Sequence, residues 1–258
     1  MSFSILSDSL LEQFIKAAPI DLGHLLTKIE SESTPVDYFA FYNSISTVYS
    51  SKIEGENIDY DSYFKHRFLN VEYQPDYTKK ADDLYLAYEF IFRNYLSLKN
   101  VKLAHAILSA NLLPQSQQGT VRNNPMFVIN SESRIEYVAA DADIIETELI
   151  KLFSDIEYLL QSTLSDYEVF YYASYIHLVF VKIHPFQDGN GRTARLIEKW
   201  FLVSKLGEKA TSIQLEKNYY LNLQEYYRNI RIIGLEYPTL TYGNALPFLS
   251  MTVNSVRV

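Results

Sequence analysis

The chain has 258 residues, 48% of them hydrophobic and 21% charged, with only 8 Gly and 8 Pro, enough to bury one large core and not the make-up of a disordered or repetitive polymer. Cys is absent, which excludes disulfides, thiolate metal sites and a thiol nucleophile and leaves oxygen or imidazole to hold any metal. A formal net charge of −8 opposes broad capture of nucleic acid or of an anionic membrane, although it allows one local anion site.

The first residues carry Asp8 and Glu12 and no basic leader, so they read as an amphipathic helix rather than a secretion signal, and a cytoplasmic location follows. No run approaches the roughly 20 apolar residues of a membrane span; the longest, 175–183, is broken by His177 and Lys182. Thr34 and Pro35 suit a helix start and Gly55 suits its stop, which sets Glu54 in the last turn. Over 79–98, Leu84, Tyr88, Ile91, Phe92, Tyr95 and Leu98 trace one apolar helical stripe, and Asn100 caps a further helix that ends at Pro114. Helices are predicted over 144–160, with Asp141 or Asp143 as cap, and over 167–182, 191–206, 215–233 and 243–255. Gly207 closes the helix over 191–206.

One stretch departs from this pattern. Residues 126–129 and 135–138 are short β-branched and aromatic runs separated by Asn130, Ser131, Glu132 and Ser133, the pattern of a hairpin. Its unpaired edge can receive an extended peptide, the plainer alternative being a surface excursion without a role. Arg122 opens it, placed to brace the hairpin or a phosphate. His177 reads as a hydrogen-bonded core histidine, and the pairs Tyr171-Tyr172, Tyr219-Tyr220 and Tyr226-Tyr227 as helix packing.

The chemistry gathers in HPFQDGNGRTAR, 184–195, between two apolar helices. Gly189 and Gly191 permit unusual backbone angles, so successive N–H groups at a helix N-terminus can converge on an anion. Arg192 and Arg195, three apart, share a helix face and can grip a polyphosphate. Asp188 offers a hard oxygen to Mg²⁺, and His184 supplies a base. A calcium loop is excluded because Thr193 and Lys199 stand where Gly and Glu are required. A dinucleotide fingerprint lacks its βαβ surroundings, and no phosphate-loop Gly-Lys-Ser/Thr is present.

These twelve residues match H-x-F-x-D/E-G-N-G-R-x-x-R, and the chain is therefore similar to Fic-domain proteins; a chance match is on the order of 10⁻⁸. The resemblance implies a mainly α Fic-fold helical bundle with a small β-hairpin flap, an N-terminal helical segment over 1–75 and a catalytic core over 76–258. It further implies a protein adenylyltransferase: a Tyr, Ser or Thr hydroxyl of a target protein, or of the chain itself, attacks the α-phosphorus of ATP. His184 would be the base, Asp188 would hold Mg²⁺, and Gly189, Asn190 and Gly191 would form the anion nest, with Arg192 and Arg195 on the phosphates. Val128, Ile129, Ile135 and Tyr137 would make the flap that docks the target. Relatives that phosphorylate carry Lys where this chain has Gly191, which disfavours their reaction.

Upstream, Ser50-Ser51-Lys52-Ile53-Glu54-Gly55 resembles the S/T-x-x-x-E-G/N inhibitory motif of some Fic proteins. Ser50, Glu54 and Gly55 would then be inhibitory residues, with Glu54 pairing with Arg195. Two alternatives stay open: a de-AMPylating or bifunctional enzyme that uses Glu54 to orient water, and a non-catalytic nucleotide-binding module.

Overall fold

The structure is a computed structural model and describes residues 3–18, 22–30, 37–129 and 133–257. Among these there are twelve α-helices and one two-stranded antiparallel sheet, so the fold is mainly α as the sequence predicts. No helix among the described residues is long and apolar enough to cross a membrane.

The centre of the bundle is α8 (Asp166–Ile183), buried on nearly every side, as a helix without a polar face must be. It starts at a capping box in which the Ser165 hydroxyl receives the Glu168 N–H and the Glu168 carboxylate receives the Ser165 N–H. Around it pack α1 (Leu11–Ala17), α7 (Ile145–Gln161), α9 (Asn190–Leu206) and α12 (Leu246–Asn254). Leu6, Leu10 and Phe14 from the N-terminal segment join the same apolar core as α8 and α9. Asp155 of α7 fastens that segment by accepting the backbone N–H groups of Ser4, Ile5 and Leu6.

Further elements are α2 (Leu22–Glu30), α3 (Tyr38–Ile53), α4 (Tyr60–Leu69), α5 (Pro75–Arg93), α6 (Leu98–Leu108), α10 (Leu215–Leu221) and α11 (Leu223–Arg231). Several boundaries differ from expectation. Asp37 caps α3 through the Ala40 N–H, while the expected start at Thr34 and Pro35 lies outside the described residues. The predicted 79–98 helix stops at Arg93, and Tyr95 is 74% exposed rather than part of the stripe. Ser97, not Asn100, caps α6, and Asn100 supplies the N–H that it receives. Neither Asp141 nor Asp143 caps α7 by its side chain; the Ile144 N–H bonds the Asp141 carbonyl instead. The 215–233 helix is two, broken at Asn222, which has left the helical region with φ −115° and ψ 38°.

The hairpin consists of β1 (Phe127–Ile129) and β2 (Ile135–Val138), paired Phe127 to Val138 and Val128 to Tyr137, with an irregularity before Ile129; the turn at Asn130, Ser131 and Glu132 lies outside the described residues. Ile129 and Ile135 are exposed, whereas Tyr137 is buried and its hydroxyl donates to the Lys182 carbonyl at 2.7 Å. Tyr137 is therefore the hairpin's anchor on α8. Arg122 completes the attachment. Its buried guanidinium donates to the carbonyls of His184 (2.8 Å), Asn124 (2.6 Å) and Ala140 (2.6 Å), so it braces the hairpin base rather than a phosphate. Arg122→Ala should remove these charged donors and cost about 3 kcal/mol, lowering Tm by roughly 6–12 °C in calorimetry. Arg122→Lys should recover only part, since one ammonium cannot reproduce the fork.

Candidate active site

The turn between α8 and α9 is held open by side chains that leave its backbone fixed. His184 ends α8 in the left-handed region, φ 55°. Phe186 is buried and stacks on the His105 ring with centroids 3.7 Å apart. Asn190 closes the turn: its Oδ1 receives the Phe186 N–H and its Nδ2 donates to the Phe186 carbonyl, both at 2.8 Å. His105 bridges from α6. Its Nδ1 receives the Gly119 N–H at 2.9 Å, which leaves the proton on Nε2 to donate to the Asp188 carbonyl, also at 2.9 Å. Burial pushes the His105 pKa down to about 4, so it remains neutral in this bridge.

The two glycines serve different needs. Gly189 has φ +77°, with His105 and Leu108 close against the place of a Cβ. Gly191 is helical, and a Cβ there would lie 2.6 Å from Glu54 Oε1. The expectation that both are needed for backbone angles therefore holds only for Gly189; Gly191 makes room. Asn190 and Gly191 stand at the first positions of α9, where backbone N–H groups have no partner within the helix.

The sequence-predicted Ser50, Glu54 and Arg195 are brought together. The Arg195 side chain is 1% exposed and donates from Nη2 to Glu54 Oε1 at 2.6 Å and from Nε to the Ser50 hydroxyl at 2.9 Å. Its Nη1 reaches the Tyr226 hydroxyl at 3.3 Å. Burial opposes ionisation of both partners, yet Glu54 raises the Arg195 pKa and Arg195 with Arg192 holds the Glu54 carboxyl below the usual range. Arg192 is paired with an acid that the motif does not specify, Glu56, at 2.5 Å.

His184 Nδ1 faces the Val181 carbonyl at 3.1 Å; a carbonyl only accepts, so Nδ1 carries the proton and Nε2 keeps its lone pair in the neutral ring. Burial pushes the His184 pKa down to about 4. A cleft of about 210 Å³ is lined by His184, Gly191, Arg195, Glu54, Val128 and Tyr137, among others. Asp188 is exposed, and its Oδ1 receives the Gly189 N–H at 2.6 Å. Among the described residues no three His, Asp or Glu side chains cluster at metal-binding distance. This donor set fits a hard cation that shares most of its shell with phosphates and water, and not an all-protein cage.

Residues 95–202 match the Fic/DOC family, and they contain the turn, both arginines and the His184 end of α8. These residues form a Fic domain. The fold of the chain is similar to a Fic family protein from Desulfovibrio desulfuricans G20, with TM-score 0.75 and 17% identity over 100% of this chain and 74% of that one. It is also similar to a Fic domain containing signaling protein from Bacteroides thetaiotaomicron VPI-5482, with TM-score 0.70 and 17% identity over 96% and 94% of the two chains. Fic-1 from C. elegans matches with TM-score 0.65 and 14% identity over 96% and 70%. No curated protein matches the chain. Fic proteins commonly transfer a nucleoside monophosphate to other proteins.

Sequence reasoning missed four contributors to this site. Glu56 and His105 had no motif to mark them. Tyr226, read as packing, is also the Arg195 partner. Glu198 receives His177 Nδ1 at 2.6 Å, while His177 Nε2 meets the Tyr226 hydroxyl at 3.1 Å, so the core histidine belongs to a buried chain that reaches Arg195. For His184 the sign of the pH effect is fixed. Its folded pKa lies below the unfolded 6.5, so the unfolded state takes the proton first and stability falls as pH drops from about 6.5 to about 4. The stability advantage of the wild type over His184→Gln should shrink by up to about 3 kcal/mol across that window in urea titrations.

Proposed function

We propose that the chain is a protein adenylyltransferase that moves AMP from ATP to a Tyr, Ser or Thr hydroxyl of a target protein and is restrained by its own Glu54. The observation that carries this reading is that His184, Gly191, Arg195 and Glu54 open onto one cleft. A neutral His184 with its Nε2 lone pair unprotonated suits a base that takes the hydroxyl proton as the oxygen attacks the α-phosphorus and pyrophosphate departs. Gly189, Asn190 and Gly191 would receive phosphate oxygens through backbone N–H groups, with Arg192 and Arg195 neutralising charge along the chain of phosphates. Asp188 would hold Mg²⁺, which supplies charge neutralisation on the phosphates when bound. A target segment would lie along the hairpin at Val128, Ile129 and Ile135, while the buried Tyr137, expected to dock the target, holds the hairpin on α8 instead; a hydroxyl of the chain itself is a further acceptor.

Restraint follows from competition. The two N–H groups of Arg195 Nη2 go to Glu54 Oε1 at 2.6 Å and to the Ser50 carbonyl at 3.2 Å, which leaves neither for a terminal phosphate, and the Glu54 carboxylate lies against Gly191 where phosphate would approach. A second reading has its own support. The Glu54 side chain is 25% exposed within the cleft that His184 lines, so its carboxylate can orient a water for removal of AMP from a modified protein.

Incubation with α-labelled ATP and Mg²⁺ should give little protein-bound label with wild type and about 10²-fold more with Glu54→Gly. The label should fall by about 10²–10⁴-fold on adding His184→Ala. Label that survives His184→Ala would overturn the base assignment. Because His184 is pushed down to about 4, the rate with Glu54→Gly should show no His limb between pH 6 and 8. Release of AMP by wild type but not by Glu54→Gly would favour the second reading.

A further inference from the structure

The Schellman motif that ends α3 carries an unexpected side chain. The Gly55 N–H bonds the Lys52 carbonyl and the Glu56 N–H bonds the Ser51 carbonyl, the two bonds that define this termination, with Gly55 at φ +83°. The residue after the glycine is commonly hydrophobic and packs back on the helix. Here it is an acid. The left-handed Gly55 turns the chain between Glu54 and Glu56 so that both carboxylates reach α9, where Arg195 and Arg192 stand three residues apart on one face.

The two pairs are not equivalent. Arg195 also holds Ser50 and Tyr226. Arg192 has Glu56 at 2.5 Å, its side chain is 5% exposed, and its Nε is buried with no hydrogen-bond partner. Its guanidinium is thus charge-balanced by Glu56 but incompletely hydrogen-bonded, as expected of a group whose full complement of acceptors comes from something else. Glu56 is itself shared with Lys80 of α5, 3.6 Å away, so it sits between two cations rather than pointing into solvent.

We infer that Glu56 is a second inhibitory carboxylate, occupying Arg192 as Glu54 occupies Arg195, so that removal of Glu54 alone leaves the site half closed to a polyphosphate. This rests on the reading of Arg192 as a phosphate-binding residue. A receptor whose competent state is only partly populated binds with an affinity reduced by that fraction, and Glu56 lowers the fraction independently of Glu54.

Calorimetry at fixed ionic strength with inorganic tripolyphosphate, and separately with ATP and Mg²⁺, tests it on wild type, Glu54→Gly, Glu56→Gln and the double variant. Tripolyphosphate affinity should rise about 5- to 20-fold from Glu54→Gly to the double variant. Glu54→Gly with Glu56→Asp, which keeps the charge on a shorter arm, should fall between them. Thermal denaturation checks that each variant is folded, and the Asp variant keeps the comparison available where Gln perturbs the loop. An unchanged tripolyphosphate affinity, or no binding by any variant, overturns the second carboxylate. A tripolyphosphate response without any ATP binding would overturn the nucleotide reading while the role of Glu56 stands.

Discussion

A guanidinium with almost no exposed surface must have its charge answered inside the protein, and Arg195 imposes that requirement on this fold. An unpaired buried charge costs several kcal/mol, and removing one member of such a pair usually costs about 3–5 kcal/mol. The requirement is met in two parts. Ser50 and Tyr226 fix the plane of the guanidinium, and Tyr226 is tied through His177 to Glu198. Glu54 supplies the opposing charge from the end of α3. The geometry therefore survives without the acid, whereas the charge balance does not. An anion that arrives in place of Glu54 meets an arginine already aimed.

The same separation of scaffold from reactive surface governs the turn. Phe186 on His105, Asn190 on the Phe186 backbone and the His105 bridge to Asp188 hold the turn from beneath. None of these contacts uses the N–H groups of Asn190 and Gly191 at the start of α9. From the other side, Arg122 and Tyr137 bind the hairpin to the C-terminal end of α8. Hairpin and turn thus share one support, and His184 lies between them. A two-stranded ribbon is marginal alone; its definition here comes from buried side chains that grip helix carbonyls.

Much of this was legible in the chain. The twelve-residue run marks the turn because it matches the Fic signature at every specified position. The position of Glu54 followed from Gly55 as a helix stop. What escaped has a physical explanation. Glu56 has no spacing relative to Arg192 in sequence, since 136 positions separate them and only the packing of α3 on the bundle brings them together. His105 looks like any apolar-helix histidine until Gly119 and Asp188 appear on its two nitrogens. Asn100 and Ser97 are both good caps, and the choice fell to the residue whose extended backbone, φ −156°, frees its hydroxyl to receive a helix N–H. The break at Asn222 was hidden because both sides keep an apolar stripe.

Charge matching gives the two acids a joint meaning. The chain is acidic overall, at −8, yet Arg192 and Arg195 are gathered at one helix start and each is answered by one carboxylate. On the proposed reading, the incoming group is a nucleoside triphosphate with Mg²⁺, which together carry about two negative charges at neutral pH. Exchanging two carboxylates for that complex leaves the local charge of the arginines balanced, so the exchange costs little electrostatically and turns on geometry and competition. A bare triphosphate would bring about twice the charge that the two arginines can answer, and a single displaced acid would leave one carboxylate facing phosphate. Asp188 at the mouth of the turn adds a negative oxygen, so a ligand accompanied by its cation would be held there more tightly than a bare phosphate chain.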